Sequence, residues 1–381
     1  MSLKAVYGSA SYLRIGWLLA NVVSTAIYRL TTYPFRKVRA STLGQDVRGA
    51  AVRCVMGCIS IADARFLIGT TSDEYVKRYC KPQGLAPKTL HLDTENGRAV
   101  AHWIGEPDAD TVILYCHGGA YVLPANQGNF QHLDGLVSYL NSARNNVSVL
   151  VLAYTLAPEA TYPTQLREAA IVLAHLVHES GRSPSSIFLA GDSAGGNLAL
   201  SLLSHILHPH PDVFALELKS PLGGALLLSP WVSFSTDYPS YKTHGPRDIL
   251  NPAALRKWSA IFLDKADTSN PEADPGLASR GDAYTEACLN PASWWNSMDQ
   301  VVSDVFVWSG GYEVFVDSIR ELETTFKAGW AHGGGDISRV IFVESAEHQH
   351  VAPVFDTAVA GAKKDDAQVA IEEWFKGRLQ R

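Results

Sequence analysis

The chain has 381 residues, more than the roughly 100–200 of one ordinary domain but within reach of a single large α/β domain carrying a cap. Hydrophobic residues make up 46% and charged residues 18%, which excludes a disordered, collagenous or solvating chain. The net charge of −6 argues against a nucleic-acid binder, whose surface carries a basic footprint. That charge is uneven. Residues 1–45 hold six basic groups (Lys4, Arg14, Arg29, Arg36, Lys37, Arg39) and no acid, leaving 26 basic against 38 acidic residues, a net of −12, in the remainder.

In chain order, the first predicted element is a helix. Apolar residues recur at Ile15, Leu18, Leu19, Val22, Val23, Ala26, Ile27 and Leu30, one stripe at the helical period. Only 14 residues separate Arg14 from Arg29, fewer than the roughly 20 of a transmembrane span. The expectation is an amphipathic helix packed on the body of the protein, with an anionic membrane surface or the mouth of a substrate pocket as the alternative destinations. Short apolar runs then read as buried strands: Val112–Cys116, Val147–Ala153, Ile187–Ala190, Ala225–Ser229, Val305–Trp308 and Val340–Val343. Helical patterns at Leu166–Glu179, Gly195–Leu207, Ile319–Lys327 and Ala367–Leu379 separate and close them. This alternation predicts an α/β class fold with a mostly parallel sheet covered by helices, and function at the ends of its strands. Residues 1–87 are read as a helical cap segment and 88–381 as the core, into which a second cap segment is inserted at about 238–292.

Five scattered cysteines with no CxxC pair indicate neither a disulfide framework nor a zinc site, and a reducing compartment is expected. Asn146-Val147-Ser148 has the form of a glycosylation acceptor but begins a predicted strand, so it is read as coincidence.

Gly191-Asp192-Ser193-Ala194-Gly195 follows the strand Ile187–Ala190 and opens a helix. A serine there is held on a tight, strained turn with its hydroxyl projecting above the sheet, and small neighbours are needed because backbone meets backbone. His117-Gly118-Gly119-Ala120-Tyr121 directly follows Val112–Cys116, where an oxyanion loop belongs. The N–H groups of Gly118, Gly119 and Ala194 are the expected oxyanion donors, and His117 is expected to orient the loop rather than act as a base.

These motifs resemble those of the hormone-sensitive-lipase-like family of α/β-hydrolases, the α/β-hydrolase-3 group. The resemblance covers about residues 88–380. It rests on His117-Gly118-Gly119, Gly191-Asp192-Ser193-Ala194-Gly195-Gly196-Asn197, Tyr154-Thr155-Leu156-Ala157-Pro158-Glu159 with Tyr162-Pro163, and Ser229-Pro230-Trp231 after a strand. It implies an α/β-hydrolase fold, an esterase-type enzyme, and a helical cap built from the N-terminus and an insertion. Ala120 departs from the third glycine of many members, which is expected to reshape the pocket without abolishing the hole.

A serine nucleophile needs a general base, and the base a carboxylate, in the chain order Ser, acid, His. The histidines late enough are His332, His348 and His350; His332 lies in a Gly-rich turn before the last strand. The family's histidine stands before a short apolar or Ala-Pro segment, which favours His350, followed by Val351-Ala352-Pro353, over His348. A metal reading of His348 and His350 lacks a third ligand. For the acid, the family places a carboxylate in the turn after the strand and a second four residues on. Glu313 falls on the first position, and Asp317 is the alternative, otherwise explained as a first-turn helix acid reaching Lys327.

The expected activity is hydrolysis of a small to medium hydrophobic carboxylic ester through Ser193, His350 and Glu313, with no metal or organic cofactor. The alternatives are acyl transfer, carbon–carbon cleavage or cyclisation in small-molecule (secondary-metabolite) biosynthesis on the same site, or a ligand receptor that has lost catalysis. Tyr121, Trp231 and Phe234, with Trp294 and Trp295, are candidates to line an apolar pocket, each equally well explained by core packing. His205, His208 and His210 are read as helix-end residues facing solvent. The expected partner is a small-molecule ester and not nucleic acid; the location is expected to be cytoplasmic, with peripheral membrane contact through the N-terminal helix as an option.

Overall fold

A computed structural model describes residues 7–357 and 366–379. Its centre is an eight-stranded sheet in the order β1-β2-β4-β3-β5-β6-β7-β8. The strands are β1 (Thr89–Thr94), β2 (Gly97–Ile104), β3 (Thr111–Cys116), β4 (Val147–Leu152), β5 (Ile187–Asp192), β6 (Gly224–Leu228), β7 (Val305–Gly310) and β8 (Val340–Ser345). β1 and β2 join by antiparallel pairing, and every pairing from β4 to β8 is parallel. The apolar runs explain the topology: every residue of β4, β5, β6 and β7 is buried, as strands covered on both faces must be.

Four helices precede or accompany the first strands. α1 (Tyr12–Thr32), α2 (Leu43–Cys58) and α3 (Ile61–Leu67) are followed by a helical run over 71–83, and α4 (Gln127–Ser142) lies between β3 and β4. Ser11, Thr42 and Ser60 each accept a backbone N–H three residues on, satisfying a donor that the first turn leaves open. α1 packs along α2 and is fastened by a buried ion pair, Arg29 Nε to Asp46 Oδ2 at 3.0 Å. At the other end Arg14 pairs with Asp63 at 2.8 Å; burial pushes the Asp63 carboxyl up, but the bonds from Arg14, Ser60 and the Ser11 N–H overcome it and hold the pKa at about 2.

α5 (Thr164–Ala174) runs on through the wider turns of His175–Glu179 and packs on β2, while α6 (Ala194–Leu207) packs on β5 and β3. α7 (Pro239–His244) and α8 (Pro252–Phe262) interrupt the alternation after β6; α9 (Val316–His332) follows β7, and α10 (Ala352–Thr357) and α11 (Asp366–Leu379) close the chain. Because the parallel strands point the same way, the loops after β3, β5, β6, β7 and β8 gather at one edge of the sheet.

Candidate active site

Ser193 occupies the sharp turn between β5 and α6 with φ +53° and ψ −117°, a conformation rarely populated by a residue with a side chain. The turn is held by the Ser193 N–H donating to Leu228 O at 2.8 Å, and by the Ser193 carbonyl accepting from Trp231 N and Asn197 N, both at 3.0 Å. Gly195 is compulsory here: a Cβ would lie 1.9 Å from Cys116 O at the end of β3. Asn197 braces the elbow from below, donating to Trp231 O at 2.7 Å and Thr285 O at 2.6 Å and accepting from the Tyr121 hydroxyl at 2.5 Å.

The loop after β3 differs from expectation at one donor. The Gly118 N–H donates to Asp192 Oδ1 at 2.8 Å, a carboxylate also held by the Tyr115 hydroxyl at 2.6 Å and Asn129 Nδ2 at 3.1 Å. That N–H is committed to a buried acceptor and so is not free to meet an oxyanion. Gly119 (φ +108°) and Ala120 (φ +52°) turn the chain beyond it, and among the described residues no acceptor is found for the N–H groups of Gly119, Ala120 or Ala194. The free Ala120 N–H is not expected from the sequence reading; the signal available for it was Ala120's place three residues after His117, in the glycine position. His117 Nδ1 lies 2.7 Å from Gly118 O, which fixes that nitrogen as the N–H donor, so Nε2 accepts from the Thr71 hydroxyl at 2.9 Å. Burial depresses the His117 pKa to about 4, keeping the ring neutral as a tie between the loop and the helical run over 71–83.

Glu313 is wholly buried in the turn after β7 and accepts from the Ser229 hydroxyl at 2.5 Å and Gly310 N at 3.2 Å. Its Oε2 lies 3.6 Å from His350 Nδ1. Burial raises the Glu313 carboxyl above its ordinary range, against the opposing pull of His350 and Ser229. His350 is buried edge-on against Phe315, with centroids 4.9 Å apart. Asp317 is drawn elsewhere: it accepts from Ser240 N at 2.8 Å and pairs with Arg320 at 3.0 Å, while Lys327 pairs with Glu323 rather than with Asp317. His348 lies outside the cluster, its Nδ1 2.9 Å from Ala346 O.

Asp248, from the segment between α7 and α8, gave no signal in sequence. Its buried carboxylate accepts three backbone N–H groups: Ile249 at 2.7 Å, Val314 at 2.9 Å and His350 at 3.0 Å. It ties the residue after Glu313 to His350 itself. Arg53 of α2 donates to the Asp248 carbonyl, so the N-terminal segment is fastened to the same point.

Ser193 and His350 open onto one cavity of about 150 Å³. Its walls come from α2 (Val52, Met56), Ile68, the loop after β3, Ile249, Leu250, and α8 (Leu255, Trp258). The expected aromatic lining is corrected. Tyr121 stacks on Phe262 with centroids 3.8 Å apart, Trp231 stacks on Phe315, and Phe234 meets Trp231 edge-on, all inside the core. Trp294 lies against His208 and Trp295 against Phe326, also away from the cavity. Of the described residues lining the cavity none belongs to α1; α2 covers it instead. Two of the three histidines at the end of α6 do not face solvent: His205 and His210 are buried, His205 with Nε2 2.9 Å from Phe214 O and Nδ1 accepting from His210 N at 3.0 Å, while His208 is half-buried. Among the described residues no three His, Cys, Asp or Glu side chains are grouped to hold a metal ion.

Comparison with known proteins agrees with this architecture. A family described as alpha/beta hydrolase fold matches residues 113–332. An acetyl-hydrolase of Streptomyces hygroscopicus is 31% identical over 182 residues, 47% of this chain and 56% of the relative. A putative acetyl-hydrolase, LipR, of Mycobacterium tuberculosis is 30% identical over 241 residues, 62% of this chain and 71% of the relative. The chain thus spans little more than half of the first relative's length. Among solved structures, an esterase from the bacterial hormone-sensitive lipase family is similar with a TM-score of 0.59 and 21% identity, covering 97% of this chain and 99% of that one, a likeness of fold. With the His117-Gly118-Gly119 and Gly191–Gly195 motifs standing at the ends of adjacent parallel strands, the chain belongs to the α/β-hydrolase family, in its hormone-sensitive-lipase-like group.

Proposed function

We propose that the protein is a serine hydrolase of carboxylic esters with a short acyl group, and that Ser193, His350 and Glu313 form its triad. The observation that carries this reading is the meeting, in one cavity, of Ser193 on its strained turn, His350 backed by a buried carboxylate, and unpaired N–H groups. His350 takes the Ser193 proton as Oγ attacks the ester carbonyl, and Glu313 holds the ring's orientation and balances the imidazolium. The N–H groups of Gly119, Ala120 and Ala194 receive the oxyanion; one such donor is worth about 2.7–4 kcal/mol of transition-state stabilisation. The alkoxide leaves with the proton from His350, and water then releases the acyl group by the same steps in reverse roles.

The cavity supports the short acyl group. About 150 Å³ is well below the roughly 300–1,000 Å³ of drug-sized sites but suffices for a benzene-sized group. Its walls of Val52, Met56, Ile68, Leu255 and Trp258 offer no charge, which suits an apolar acyl chain. Acetyl-hydrolases among the relatives accord with this size. The test is turnover of p-nitrophenyl acetate, butyrate and octanoate by the native protein and Ser193→Ala. We expect loss of turnover in the variant and a preference for the short esters; a fully active Ser193→Ala refutes the assignment.

A further inference from the structure

We propose that α1 is a docking surface for an anionic lipid bilayer, holding the roof of the Ser193 cavity against the membrane. The helix covers only part of its apolar surface. Leu18 and Arg29 are buried and Ile15, Val22, Thr25 and Ala26 half-buried, while Tyr12, Leu13, Trp17, Leu19, Val23, Ile27, Tyr28 and Leu30 are exposed. Leu13 is 88% and Trp17 57% exposed, and Phe35, just beyond the helix, is 84% exposed. At 100° per residue the outward apolar positions fill about half of the helix circumference. No charged side chain lies between Arg14 and Arg29, and both of these are turned into ion pairs with Asp63 and Asp46. Water therefore meets a charge-free apolar strip across several turns, a patch of the kind that soluble surfaces avoid unless it is occupied.

Charge selects the occupant. The strip lies in the acid-free first 45 residues and is followed by exposed Lys37, with half-buried Arg36 beside it; no carboxylate is paired to either among the described residues. Apolar side chains flanked by unneutralised cations are the recognition chemistry of an anionic bilayer interface, where the helix lies in the plane of the headgroups. No helix among the described residues is long and apolar enough to cross a membrane, so the geometry is that of a helix lying on the surface. The strip continues to Phe66 of α3, which meets Tyr12 edge-on at 5.9 Å and is itself exposed. Two residues further, Ile68 lines the Ser193 cavity, as do Val52 and Met56 of α2 beneath α1. Docking would thus set the cavity roof at the interface, where esters of low water solubility concentrate.

The test is co-sedimentation with phosphatidylcholine vesicles and with vesicles containing about one-third phosphatidylglycerol, at low and high salt. We expect binding to the anionic vesicles, weakened by salt. The paired variant Trp17→Glu/Ile27→Glu should lose at least about tenfold in partitioning, and Lys37→Glu, which reverses an exposed charge, about tenfold. Both replace outward side chains, and an unchanged Tm verifies the fold. Ser193→Ala must bind as the native protein does, which separates docking from turnover. Equal partitioning of the native protein and the Glu variant, or a dimer in sedimentation velocity that Trp17→Glu/Ile27→Glu dissolves while no vesicle binding is seen, overturns the proposal.

Discussion

Replacing Glu313 by Gln removes one negative charge 3.6 Å from His350 Nδ1 and leaves the shape nearly unchanged. With an effective dielectric of about 20, a unit charge pair at that separation is worth about 5 kcal/mol, felt only when the imidazolium forms in the transition state. At about 1.4 kcal/mol per decade, kcat should fall by about 10³–10⁴-fold with little change in KM. The amide also places an N–H₂ group near the Ser229 hydroxyl or His350, favouring the wrong tautomer and adding to the loss. Asp317→Asn is the matched control, because its carboxylate pairs with half-exposed Arg320 and is turned towards Ser240 rather than His350. It should change kcat by less than about threefold, the effect of a surface ion pair. Steady-state kinetics on p-nitrophenyl acetate, with Tm as the check on folding, decides the matter. A larger loss in Asp317→Asn than in Glu313→Gln refutes the reasoning.

Asp248→Asn should lower kcat about 10–100-fold while Ser193 still reacts with an organophosphonate probe, since an amide satisfies fewer of the N–H groups of Ile249, Val314 and His350; unchanged kcat would make the carboxylate structural only. Trp258→Ala opens the cavity wall and should raise kcat/KM for p-nitrophenyl octanoate relative to the acetate, read from the ratio of the two; a constant ratio would remove Trp258 from acyl selection. Burial depresses both His102 and His117 to about 4, against about 6.5 in an unfolded chain. Between those values the unfolded state binds more protons, so stability falls as pH drops through the window, by up to about 1.4 kcal/mol per pH unit for each histidine. Thermal melts from about pH 7 to pH 4 test this, and a flat Tm over that range would count against it.

The sheet was legible in the sequence because its signal is local. Runs such as Val147–Leu152 are too short for helices and apolar at every position, which only a strand covered on both faces requires. Ser193 was equally legible, since its turn needs small residues at adjacent positions and its strand and helix flank it in sequence. Several side chains were not. The commitment of the Gly118 N–H to Asp192 depends on a carboxylate 74 residues away. Tyr121, Trp231 and Phe234 carry the composition of a pocket wall but fill the core, because only packing decides which apolar surface is covered by protein and which is left open. Lys327 is the expected partner of Asp317 along its own helix, whereas Arg320, three residues on, and the Ser240 N–H of α7 claim it.

Short-range periodicity and steric need are enough to read the α/β architecture, the strained turn at Ser193 and the glycine loop after β3 from the chain alone. Tertiary structure alone decided the donors left unpaired, the covering of the cavity by α2 and α8, and the outward turn of the apolar side of α1. The physical reason is common to all three. A hydrogen bond or a cavity wall is shared between segments distant in the chain, and its partners exist only once the sheet has brought the strand ends together.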